Sequence, residues 1–88
     1  MVMIKIRLNA KGPKISEIVN QLKKDNFIKD VDYNFDYYPA YYDLENGDEL
    51  REKMFSHAIF TFWKNEYATL FLIKYSHYSP KLIENIEE

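Results

Sequence analysis

Residues 30–37 read DVDYNFDY, and the alternation is strict. Val31, Tyr33, Phe35 and Tyr37 fall on one side of an extended chain; Asp30, Asp32, Asn34 and Asp36 fall on the other. Successive side chains of a strand point to opposite faces, so a period of two marks a strand with one covered face and one wet face. An aromatic face needs a layer to pack on, which commits the chain to a sheet covered on one side. Met3 to Leu8 repeats the pattern, with Ile4, Ile6 and Leu8 opposite Met3, Lys5 and Arg7.

The covering layer comes from a helix. Gly12 and Pro13 open it, since proline in the first turn gives up an N–H that has no partner there. Ile15, Ile18, Val19 and Leu22 fall at i, i+3, i+4 and i+7, one apolar stripe. Lys23 and Lys24 stand in the last turn, Asp25 and Asn26 end the helix, and Phe27 with Ile28 folds back on the core.

Beyond the first 38 residues the pattern is harder to read. Pro39 lacks an N–H and marks a strand end or edge, Asn46-Gly47 is a turn signal, and Asp48 is a possible helix cap. Residues 44–56 therefore form either a long hairpin or a loop with a helical turn. Residues 59–63 and 67–75 flank Lys64-Asn65-Glu66, which predicts a hairpin between His57 and His77. In that register Phe60, Phe62, Ala68, Leu70 and Leu72 face the core. Trp63, Tyr67, Phe71, Ile73 and Tyr75 stand on the other face, too apolar for water, and are expected to form a homodimer surface. Ser79-Pro80 predicts a short C-terminal helix with Leu82, Ile83 and Ile86 inward. The expected architecture is α+β: one domain over 1–88, an antiparallel four-stranded sheet, and one main helix plus a short C-terminal helix on one face (βαβββα).

Charge is segregated along the chain. Residues 1–29 carry seven basic and two acidic side chains, net +5, whereas residues 30–50 carry seven acids and no base, net −7. The acidic stretch also holds Tyr33, Tyr37, Tyr38, Tyr41 and Tyr42. Carboxylates pair with arginine and lysine, and tyrosines add flat apolar area with a polar tip. The expected partner is therefore a basic protein surface, met by Asp32, Asp36, Tyr37, Tyr38, Tyr41, Tyr42, Asp43, Glu45 and Asp48.

Catalysis finds little to use. There is no cysteine, and Ser56 and Ser76 each adjoin a histidine that points the other way on a strand. His57 and His77 have no metal-ligand spacing. The expectation is no enzyme, no metal and no cofactor. The N-terminus lacks the apolar run of a signal peptide, and no apolar run approaches membrane-spanning length, so a cytoplasmic protein is expected. A small nucleic-acid-binding sheet protein is the alternative, with Trp63, Tyr67, Phe71 and Tyr75 as stacking rings and Lys5, Arg7, Lys11, Lys14, Lys23 and Lys24 as cations. A net charge of −2, two arginines and no Gly-aromatic RNA-binding motif weigh against it. A third alternative is a homodimeric accessory domain.

In its small size, its lack of cysteine and its one-sided acidity the chain resembles small phage-encoded inhibitors, anti-CRISPR proteins among them. The resemblance is one of general character and transfers no residues. It implies a non-enzymatic protein of a phage or mobile element that occupies a basic, nucleic-acid-binding host protein without binding nucleic acid itself.

Overall fold

The computed structural model describes residues 2–45 and 49–87. Strand β1 (Val2–Asn9) leads to helix α1 (Gly12–Lys24) and strand β2 (Tyr33–Tyr38). Strands β3 (Tyr41–Glu45) and β4 (Glu49–Met54) follow, then β5 (His57–Phe62), helix α2 (Asn65–Lys74), a short 3-10 turn (Ser76–Tyr78) and strand β6 (Lys81–Glu87). The main sheet runs β2-β5-β1-β6, with all neighbours antiparallel. Without β3 and β4 the order is βαββαβ: β1 and β2 run parallel, separated by β5, and β5 and β6 run parallel, separated by β1. This is the split βαβ, ferredoxin-like arrangement.

Register explains the core. Ile4, Phe62 and Tyr33 lie in one row across the sheet, Ile6, Phe60 and Phe35 in the next, and Leu8, Ala58 and Tyr37 in the third. Ile15, Ile18, Val19 and Leu22 of α1 join the same buried cluster as Ala68 and Phe71 of α2, so both helices cover this one face. Phe71 is its hub, with ring centroids 4.8 Å from Phe60, 5.1 Å from Phe62 and 4.9 Å from Tyr75.

The α+β class, the antiparallel four-stranded sheet and the two helices agree with the sequence expectation. Two segments exchange their states. Residues 65–74 form α2 rather than the second strand of a hairpin, and the chain after Pro80 forms β6 rather than a helix. His57 pairs with Asn9 and Tyr38 across the main sheet. Trp63, Tyr67, Phe71, Ile73 and Tyr75 do not share a strand face: Phe71 and Tyr75 are buried, Trp63 and Tyr67 are half-buried, and Ile73 is exposed.

The end of α1 is closed by backbone geometry. Asn26 takes a left-handed conformation, φ 68°, and Phe27 N–H donates to Leu22 C=O while Asn26 N–H donates to Lys23 C=O. That is the Schellman closure, in which asparagine stands where glycine is usual. Phe27 then stacks on Tyr67 at 4.7 Å, but Ile28 does not fold back and stays exposed.

Candidate partner-binding arm

β3 and β4 pair antiparallel, as the first of the two alternatives expected for residues 44–56 requires. In the main sheet Tyr38 pairs with His57; across the short break at Pro39 and Ala40, Tyr41 pairs with Met54. Both pairs obey the same register, so the β3–β4 ladder continues the β2–β5 ladder. Pro39 interrupts it because it has no N–H to donate. A register shift between Tyr41 and Tyr42 then bends the ribbon. β3 and β4 pack on each other and make little contact with the remaining elements. The molecule measures 47 × 29 × 23 Å.

Eight of the nine expected contact residues lie among the described residues, on this ribbon or near its root. Asp32 sits before β2 and works locally: its Oδ2 accepts the Ile28 N–H at 2.8 Å, closing a loop in which Asp30 adopts φ 69°. Tyr37 is on the helix side of the sheet, its hydroxyl close over Gly12. A methyl group at Gly12 would meet that hydroxyl at 3.5 Å, so glycine leaves the ring room rather than being demanded by it. Asp36 and Tyr38 are on the open side. Tyr41, Tyr42, Asp43 and Glu45 lie on β3, and Asp48 lies outside the described residues, as does the turn expected at Asn46-Gly47.

Register adds what sequence reading missed. Asp43 stands opposite Arg51, Leu44 opposite Leu50 and Glu45 opposite Glu49. The arm therefore mixes five acids with Arg51 and Lys53, net −3 over residues 41–54. Asp30 and Asp32 belong to the loop before β2, Asp36 to the edge strand β2, and Asp43, Glu45 and Glu49 to β3 and β4.

The arm leaves the body at a stacked pair. Tyr38 lies on His57, centroids 5.0 Å apart and planes 17° apart. His57 is only 4% exposed. Its Nδ1 is 2.9 Å from the Phe55 carbonyl; a carbonyl only accepts, so Nδ1 carries the proton. The imidazole is used as an anchor at the arm's root.

The open face of the sheet carries Met3, Lys5 and Arg7 from β1, Ile59 and Thr61 from β5, and Asn34 and Asp36 from β2. Its charges are balanced along the rows. Lys5 Nζ is 3.8 Å from Glu84 across the β1–β6 ladder, and Arg7 and Asp36 flank Ile59 on either side. Two tyrosine hydroxyls, those of Tyr33 and Tyr75, are buried without a hydrogen-bond partner. Burial pushes both phenols above their ordinary range.

Among the described residues no group of three or more His, Asp or Glu side chains is placed to hold a metal ion. No described helix is long and apolar enough to cross a membrane. Comparison with protein families, curated proteins and solved structures finds no match to this chain.

Proposed function

We propose that this chain is a non-enzymatic binding protein whose β3–β4 arm is its contact element and whose partner is a basic protein surface. The observation that supports it is the arm itself, a two-stranded ribbon that continues the sheet's ladder while making little contact with the other elements. An isolated two-stranded hairpin is marginal in water. A ribbon kept outside the core gains its missing contacts from a partner. Tyr41 and Tyr42 supply rigid contact area, and Asp43, Glu45 and Asp48 with Asp36 supply charge that speeds encounter with a basic surface. Where that surface binds nucleic acid, the arm's carboxylates take the place of phosphates. In the fullest form of the reading, the protein belongs to a phage or mobile element and inhibits a host nucleic-acid-binding protein in the cytoplasm.

Direct nucleic-acid binding has weaker support. A base-stacking sheet needs rings on its open central strands, and those positions hold Met3, Lys5, Arg7, Ile59 and Thr61. Phe71 and Tyr75, read from sequence as stacking rings, are in the core.

Affinity capture from a bacterial lysate, with and without nuclease, tests the proposal. The expected result is a basic protein retained after nuclease treatment. Retention of nucleic acid alone overturns it in favour of the sheet-binding alternative.

A further inference from the structure

Helix α2 is apolar on two opposite sides. Ala68, Phe71 and Tyr75, at i, i+3 and i+7, are buried against the sheet. On the reverse side run Glu66, Leu70, Ile73 and Lys74, at i, i+4, i+7 and i+8. Leu70 is 56% exposed and Ile73 67% exposed. A helix that is apolar all round belongs inside a larger body. Beside the outer stripe, α1 and α2 leave an apolar groove of about 380 Å³, lined by Leu22, Phe27, Leu70 and Ile73. At its rim Lys74 Nζ donates to Asp25 Oδ2 at 2.7 Å.

We propose that this face is a homodimer interface, in which α2 packs antiparallel on α2 of a second copy about a two-fold axis at Leu70. The order of charges selects a second copy as the occupant. Glu66 lies four residues before Leu70, and Lys74 lies four residues after it. Antiparallel packing about Leu70 sets Glu66 of each copy opposite Lys74 of the other, so opposite charges meet at both ends. In the same arrangement Leu70 meets Leu70, and Ile73 meets the ring of Tyr67. A two-fold interface must complement itself, and this stripe does so in the antiparallel sense; a parallel pairing would set like charge on like. The two charges also suit their places on the helix, the acid in its first turn and the base in its last. The surface is separate from the arm, so a dimer presents two arms without using either in its own assembly.

Sedimentation equilibrium from micromolar to millimolar protein gives the first readout. The expected result is a species of twice the chain mass that returns to monomer in Leu70→Glu and Ile73→Glu. Both positions are exposed in the single chain, so these variants keep the parent's circular dichroism. In an Asp25→Asn background, which frees Lys74 from the bridge within its own chain, Glu66→Lys alone and Lys74→Glu alone should each weaken association about tenfold, the weight of two exposed ion pairs turned into repulsions. The double variant Glu66→Lys/Lys74→Glu should recover most of the loss. Because the chain has no cysteine, Leu70→Cys gives a second, independent readout. Cysteines at the helix crossing come within the Cα separation of about 4.4–6.8 Å that a disulfide needs, so a mild oxidant should yield a covalent dimer. Thr61→Cys, on the open sheet face, should not. A monomer at every concentration overturns the proposal. So does a dimer that survives Leu70→Glu, one that cross-links through Thr61 and not Leu70, or a charge-swapped double variant no better than the single ones.

Discussion

Tyr38 stacks on His57 at the point where the β2–β5 ladder hands over to the β3–β4 arm, with ring centroids 5.0 Å apart. The two residues are direct cross-strand partners. Their contact holds the arm's root while Pro39, next in the chain, breaks the ladder above it.

Tyr38→Ala should therefore loosen the arm more than the body. An aromatic pair contributes about 0.5–1.5 kcal/mol beyond the area it buries, so the melting temperature should fall by a few degrees. Hydrogen exchange of the backbone amides in β3 and β4 should quicken more than exchange in β1. Equal acceleration in both would mean that the stack supports the core and not the arm.

The acids of the run 30–50 should behave unequally. Asp32→Ala removes the acceptor for the Ile28 N–H and should cost about 1 kcal/mol, as loss of a local cap does. Asp36→Asn should leave the melting temperature unchanged or slightly raised, because an exposed carboxylate contributes little and neighbouring acids repel. Thermal melts of the two variants beside the parent check this.

Phe71→Ala should cost about 3–5 kcal/mol, the usual cost of emptying a buried aromatic site, and should unfold much of the chain at 37 °C. Leu70→Ala, one residue away on the exposed side, should stay within about 0.5 kcal/mol of the parent when measured at dilute protein. Urea denaturation distinguishes them. Similar costs at the two positions would contradict the helical faces of α2.

The Asp25–Lys74 bridge should give a pH-dependent increment. Hydrogen bonds from Lys74 and then Gln21 hold the Asp25 carboxyl below its ordinary range, and the bond to Asp25 raises Lys74. A depressed carboxylate stabilises the fold above its unfolded pKa, about 3.9, and that help is lost as pH falls through the lower folded value. A raised ammonium helps below its unfolded pKa, about 10.4, and fails as pH rises through the higher folded value. The melting-temperature gap between parent and Asp25→Asn should thus be present across neutral pH, close in strong acid and narrow with salt. Both groups are well exposed, so the gap should be small throughout.

The first half of the fold was legible because its elements carry one clean period each. Ile4, Ile6 and Leu8 alternate; Ile15, Ile18, Val19 and Leu22 make a single stripe; Tyr33 and Phe35 alternate with acids. Helix α2 was not legible, for a physical reason. Leu70 and Ile73 on its outer side answer Phe71 and Tyr75 on its inner side, so the helical period cancels and the β-branched and aromatic residues read as strand. The signal available was Ala68, Phe71 and Tyr75 at i, i+3 and i+7. β6 failed in the opposite direction. Ser79-Pro80 looks like a helix start, but Ser79 adopts φ 52°, and pairing with β1 sets Glu84 beside Lys5, a contact no local pattern announces. Of the candidate site, the composition was legible and the layout was not. Nothing in the sequence sets Asp43 opposite Arg51, and nothing marks Asp32 as an acid tied to its own loop.

Hydrogen exchange on the full chain, alone and with the basic protein recovered by affinity capture, locates the contact surface. Protection on binding should concentrate in β3 and β4, residues 41–45 and 49–54, with the open-face strand β1 unchanged. Protection of β1 and β5 with the arm still exchanging freely would contradict the proposal.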